Sequence, residues 1–218
     1  MEIPYLTSLV IFLPVVGALL VMLMRSADAI RWTALGTTTL TFLLSIGLYL
    51  GYDPGVSTAQ APQLMDLSAA WFPETLDIKY FVGIDGLNIL LVMLTTLLGP
   101  IVVLSSWTYI ESKHKGYYTL LLLLQTGITG VFVSYDVFLF YIFFELTLIP
   151  MYFIIGIWGG KDRIYAAVKF VIYTLVGSLL MLVGIVYLGY QAGDAINAGV
   201  FTTDWYKLLS YNVPLESQ

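Results

Sequence analysis

Phe144-Glu145-Leu146-Thr147-Leu148-Ile149-Pro150 lies at the centre of an apolar run, Val137–Trp158, and the reading of that run decides the fold. The run is 22 residues long and carries one charged side chain, Glu145. A helix needs roughly 20 mostly apolar residues to cross a ~30 Å hydrocarbon core, so this stretch reads as a membrane span. Five more runs meet the same requirement: Pro4–Met24, Trp32–Leu50, Gly83–Trp107, Tyr117–Val133 and Ala166–Tyr190. The fourth is the shortest, and the tight Ser134-Tyr135-Asp136 link after it predicts a turn into an antiparallel neighbour. The first run has neither a basic leader nor a small-residue cleavage pattern, so it reads as a span and not as a signal peptide.

Composition agrees. Of the 218 residues, 59% are hydrophobic and 11% charged, and the mean hydropathy is +0.89. A soluble domain carries about 25% charge, so these residues need lipid as part of their solvent. The expected fold class is all-α, a polytopic bundle of six transmembrane helices. With no cysteine the chain forms no disulfide, thiolate metal site, iron–sulfur cluster or covalent haem, and its one histidine, His114, is too few for a histidine-built metal site. A formal charge of −5 without a basic patch argues against nucleic acid as a partner.

Between the spans lie two leading helices' worth of chain (1–50), a Gly- and Pro-rich connection (51–82), the third helix (83–110), helices four to six (111–190) and a polar, aromatic tail (191–218). The run Ser68-Ala69-Ala70-Trp71-Phe72-Pro73 is expected to rest in the membrane interface through its aromatics. Basic residues alternate loop by loop. Arg25, Arg31, Lys113, Lys115, Lys161 and Arg163 fall on one side, while the other carries only Lys79 and Lys207 among several acids. By the positive-inside rule the six face the cytoplasm and both termini lie outside it.

Glu145 is eight residues into its span, which at 1.5 Å per residue is about 12 Å from the outer edge. A carboxylate near mid-membrane is costly unless protonated, paired or hydrated, and such residues mark ion or proton paths. The alternative is a helix-packing carboxyl that never titrates. Tyr141 and Tyr152, four before and seven after, are expected on its helical face. Pro150 frees the carbonyl of Leu146, which suggests a hydrated pocket beside the carboxylate. Lys169 is shallow in the sixth span, with Tyr173 one turn deeper. It reads either as a cytoplasmic mouth or as a snorkelling lysine. Its depth differs from that of Glu145 by about 14 Å, so a direct pair is not expected. In the fourth span, Thr126 and Gly130 form a small-xxx-small step and Gln125 and Thr129 an i, i+4 polar pair, both read as packing. Asp85 and Asp136, each opening a span, read as helix caps.

Gly83-Ile84-Asp85-Gly86-Leu87, the stretch Phe144 to Tyr152, Ile157-Trp158-Gly159-Gly160 and Lys169-Phe170-Val171-Ile172-Tyr173-Thr174 together resemble the M subunits of bacterial respiratory complex I, the proton-pumping NADH:quinone oxidoreductase. The resemblance runs from the first span to near the end of the chain. It implies a 14-span fold with two inverted five-helix repeats behind three leading helices, each repeat holding a broken helix and a buried lysine. Residues 111–190 would be the first part of such a repeat, 51–82 an extracytoplasmic loop and 191–218 an extracytoplasmic tail. Glu145 would correspond to a fifth-helix glutamate that pairs with a lysine on the seventh helix.

This chain stops after six spans. A second chain carrying the remaining helices, a truncated gene product, or a sequence that is only part of the protein is the expected explanation. The resemblance implies a proton half-channel with Glu145 as its titrating group, and the depth and helical-face reading adds Lys169, Tyr141, Tyr152 and Tyr173 as expected members of the path. It also implies other membrane-arm subunits as partners, residence in the bacterial inner membrane, and no cofactor in this chain. NADH, flavin, iron–sulfur clusters and quinone would belong to partner subunits. Multisubunit sodium/proton antiporters are relatives of the same family, so an antiporter subunit is the alternative, with a non-pumping structural or assembly role as the third reading.

Overall fold

A computed structural model describes residues 5–56, 58, 61–68 and 75–211. The expected interfacial residues 69–73 lie outside the described residues. Six helices are long and apolar enough to span a membrane: α1 (Leu6–Leu23), α2 (Ala27–Gly51), α3 (Asn88–Tyr109), α4 (His114–Val133), α5 (Val137–Trp158) and α6 (Arg163–Ile196). All six expected spans are present. The sixth differs most, running 34 residues where the apolar run alone predicts 25 (Ala166–Tyr190). At 1.5 Å per residue it is about 51 Å long, more than a ~30 Å core requires, so its ends reach past the hydrocarbon. Nothing in Gln191-Ala192-Gly193-Asp194-Ala195-Ile196 breaks a helix outright, and α6 continues through it.

Helix α4 is the centre of the bundle. It packs against α1, α2, α3 and α5, and α6 is joined to the other helices through α5. Close approach is made by small residues, the usual device where lipid removes the hydrophobic drive between helices. Gly130 lies under the Phe143 ring, and Gly127 lies against Phe143 and Thr147, so α4 and α5 meet along the step that Thr126 and Gly130 mark. Between α2 and α3 the Ser45 and Thr96 hydroxyls bond at 2.7 Å, both fully buried. One apolar cluster, including Val10, Leu48, Val92 and Phe143, fills one end of the bundle, and a second, with Val21, Val103 and Tyr118, fills the other.

A small polar cap closes one end. Strand β1 (Gln63–Leu67) pairs antiparallel with β3 (Phe81–Ile84), Asp66 opposite Val82, with an irregularity between Gln63 and Asp66. Strand β2 (Leu76–Asp77) pairs parallel with β4 (Phe201–Thr202), which leads into a short helix, α7 (Trp205–Ser210). Asp66 reaches from β1 to the first turn of α1 and accepts from the Ser8 N–H at 2.8 Å and its hydroxyl at 2.6 Å, capping a helix that no local side chain caps. The opposite end holds Arg25, Arg31, Lys113, Lys115, Lys161 and Arg163. There Lys115 donates to the Met22 carbonyl at 3.0 Å and Arg31 to that of Ile110 at 3.4 Å, so cations sit at the negative ends of α1 and α3.

Candidate functional site

Helix α5 begins because Asp136 caps it: its carboxylate accepts from the N–H groups of Phe138 and Leu139 at 2.9 and 3.1 Å. That start fixes Glu145 eight residues in, about 12 Å from the capped end. Glu145 is half-buried and lines a cleft of about 520 Å³ between α5 and α6. Leu146, Tyr152 and Phe153 of α5 and Val171 and Leu175 of α6 form its walls. Glu145 Oε1 is shielded from solvent and has no hydrogen-bond partner among the described residues. An acceptor left open in an apolar wall costs free energy unless a donor or proton reaches it. Leu146, whose carbonyl Pro150 leaves without its helical donor, lines the same cleft.

The expected site residues separate into two groups. Tyr152 shares the cleft with Glu145. Tyr141 is not among the cleft walls, but its hydroxyl is within interaction range of both Glu145 and Ser178 of α6. Lys169 and Tyr173 line a different groove, of about 560 Å³, on the outward face of α6. The Lys169 ammonium lies 5.6 Å from the Tyr165 ring centroid, and Tyr173 is 82% exposed. Counted from the observed helix ends, Lys169 and Glu145 differ in depth by about 10 Å, less than the 14 Å read from apolar boundaries, because α6 starts at Arg163. They still face different grooves.

On α4, Gln125 and Thr129 do not bond each other as an i, i+4 pair. Both polar atoms of Gln125 and the Thr129 hydroxyl are buried without a partner among the described residues. The Gln125 amide lies against Gly99 of α3.

At the capped end the structure builds a cluster that single-residue reading missed. Asp136 is 1% exposed and, besides capping α5, accepts from the Lys79 N–H at 3.0 Å and the Thr203 hydroxyl at 2.8 Å. Lys79 bridges Asp77 at 3.1 Å and Asp204 at 3.3 Å, and Lys207 closes the ring onto Asp77 at 2.8 Å. Burial pushes the Asp136 carboxyl above the usual range. Burial acts upward on Asp77 too, but the Lys207 and Lys79 ammonium groups outweigh it and hold Asp77 below its usual range. Asp85 caps α3 through the Leu87 and Asn88 N–H groups, at 2.8 and 2.7 Å, and also accepts from the Tyr135 hydroxyl at 2.5 Å. The pattern of acids opening spans signals the caps, while the long-range partners have no local signature.

A bundle of six helices long and apolar enough to span a membrane, with a mid-span carboxyl lining a cleft between two of them, defines a multi-pass membrane protein. Residues 134–211 match the family described as NADH:quinone oxidoreductase/Mrp antiporter, TM, and residues 58–130 match NADH-ubiquinone oxidoreductase chain 4, amino terminus. The chain is 42% identical over 215 residues to NADH-quinone oxidoreductase subunit M of Rhodobacter capsulatus, covering 96% of this chain and 39% of that protein. It is 42% identical over 195 residues to subunit M of Escherichia coli K12, with 86% and 37% covered. A chain of respiratory complex I from Thermus thermophilus with bound NADH superposes with a TM-score of 0.77 at 28% identity, over 97% of this chain and 40% of that one. The chain belongs to the M-type, antiporter-like membrane subunits of NADH:quinone oxidoreductases. It spans about two-fifths of the length of the relatives it matches.

Proposed function

We propose that this chain contributes part of a proton half-channel to a proton-translocating NADH:quinone oxidoreductase, with Glu145 as the group that takes up and releases the proton. The carrying observation is the open Oε1 of Glu145, mid-span, at the wall of the α5–α6 cleft. A cation brought to that oxygen favours the carboxylate, and its withdrawal favours the acid, so alternating approach and retreat loads and unloads one proton. No described lysine or arginine lies in the cleft, so the cation belongs to helices beyond these six. They would come from a further chain or from the remaining three-fifths of length that the relatives possess.

Tyr141 and Tyr152 supply hydroxyls beside the carboxyl, and Lys169 with Tyr173 marks a separate groove nearer the basic end of the bundle. The basic end faces the cytoplasm of the bacterial inner membrane and both termini lie outside it, by charge asymmetry. The chain acts as a non-redox subunit: with no cysteine it offers no iron–sulfur ligands, and NADH, flavin, clusters and quinone are held by partner subunits of the membrane and peripheral arms. The chain-4 match at residues 58–130, whose description names no antiporter, favours this reading over a sodium/proton antiporter subunit.

Glu145→Gln in the assembled complex keeps shape and removes the titrating proton. It is expected to cut quinone-coupled proton pumping at least tenfold while NADH oxidation by an artificial acceptor stays at the wild-type rate. Normal pumping by a fully assembled variant would reject the role.

A further inference from the structure

The basic end of the bundle carries a second feature that the proton path does not use. A groove of about 420 Å³ opens there between the start of α4 and the end of α5. Lys113 and Lys115 stand at its polar mouth, and Met22, Phe153, Ile157 and Trp158 form its apolar walls. Among the described residues no acidic side chain lines it.

Three observations point to an anion at the mouth. Helix α4 starts at this spot with Lys113 in the cap position and no side chain accepting from its first turn, so the unpaired N–H groups and the positive end of the helix dipole face the groove mouth. The two ammonium groups add full charges: Lys113 has no acidic partner among the described residues, and Lys115 uses one of its three donors on the Met22 carbonyl. Thr119, one turn further along α4, is 6% exposed, lines the groove, and its hydroxyl has no hydrogen-bond partner among the described residues. A buried hydroxyl left open in an otherwise apolar wall calls for a polar atom from a ligand.

The apolar walls identify the rest of the ligand. Phe153 lies five residues before the end of α5, about 7.5 Å towards the membrane centre from Trp158, so the groove leads from the headgroup level into the hydrocarbon. Trp158 is held at that level by its indole N–H, which donates to the Ser112 carbonyl at 3.1 Å. A free anion would use the mouth and leave the apolar wall bare, whereas a phospholipid with a net negative headgroup fills both.

The geometry points to a binding site for an anionic phospholipid, its phosphate held by Lys113, Lys115 and the first turn of α4, its glycerol region by Thr119, and one acyl chain along Phe153 and Ile157.

The test is native mass spectrometry of the full chain extracted from its membrane and titrated with phosphatidylglycerol or with phosphatidylcholine of identical acyl chains. Phosphatidylglycerol is expected to be retained at least about tenfold more strongly, the scale of two lysines near a membrane surface. Lys113→Gln, whose parent side chain makes no described hydrogen bond, removes several-fold of that preference, and Lys113→Gln with Lys115→Gln removes the rest. Thr119→Val lowers retention of both lipids without changing their ratio. Millimolar inorganic phosphate leaves bound phosphatidylglycerol in place. Equal retention of the two lipids, an undiminished preference in Lys113→Gln, or displacement by phosphate alone would overturn the assignment.

Discussion

Removing the Asp136 carboxylate tests whether the capped end is held by one buried group. Asp136→Ala leaves four donors without their acceptor: the N–H groups of Phe138, Leu139 and Lys79 and the Thr203 hydroxyl. Loss of the helix cap costs about 1 kcal/mol, and each of the two long-range donors, buried and unpaired, costs about 1 kcal/mol more. The expected loss is about 3 kcal/mol, or roughly 6–12 °C in melting temperature at 2–4 °C per kcal/mol for a chain of this length. Asp136→Asn keeps one acceptor oxygen for the cap and turns an amide towards Thr203 and Lys79, so about half that loss is expected. The chain has no cysteine, so Val82→Cys, fully buried in β3, serves as a reporter whose reaction with a thiol dye tracks melting. A melting temperature for Asp136→Ala within about 2 °C of the parent, less than the shift from a single kcal/mol, would refute the account of this hub.

The neighbouring ion pairs set a pH window. Asp77 is held below its usual range, so its contribution is complete above about pH 4 and disappears as pH falls through the lowered value. Lys79, held above its usual range by Asp77 and Asp204 against the opposing effect of burial, contributes below about pH 10.4 and loses its contribution as pH rises through the raised value. Asp77→Asn should flatten both limbs in melts taken across that window. At the α4–α5 contact, Gly130→Leu cannot coexist with the Phe143 ring where it stands. It should cost about 1–3 kcal/mol and lower assembly of the complex, with Gly36→Leu, which has open space around it, as the neutral control. Topology is read with single cysteines: Lys161→Cys should react only from the cytoplasmic side of sealed vesicles and Val56→Cys only from the other, and reversed labelling would invert the orientation.

The six helices were legible because each is a long apolar run, a signal that survives without knowledge of any neighbour. Their caps were legible for a similar local reason, since Asp136 and Asp85 stand where a span opens. What could not be read is the far end of each long-range contact. Asp136 and Thr203 are 67 positions apart and Ser8 and Asp66 are 58 apart; Asp136 reads as a cap but gives no sign of Thr203, and Asp66 looks like an ordinary loop acid until β1 brings it to α1. Lys79 and Lys207 counted only as minor charges on the less basic side, yet both are held in ion pairs to buried acids. The length of α6 was underestimated because apolar content marks where lipid is, not where a helix stops. The Gln125–Thr129 spacing suggests a pair, but the two side chains do not bond and the Gln125 amide lies against Gly99 of α3. At the site itself, the depth of Glu145 was arithmetic on the sequence. The cleft, and the fact that Lys169 faces a different groove, depend on how α5 and α6 roll against each other, and no periodicity reports that roll.

Whether Glu145 changes protonation while the complex works is measurable directly. Infrared difference spectra of the assembled complex, resting against turning over with NADH and quinone, should show a protonated-carboxyl band that appears and vanishes with turnover. The band should be missing from the same difference in Glu145→Gln. A pumping complex whose carboxyl bands are identical with and without Glu145 would contradict the assignment of the proton to this residue.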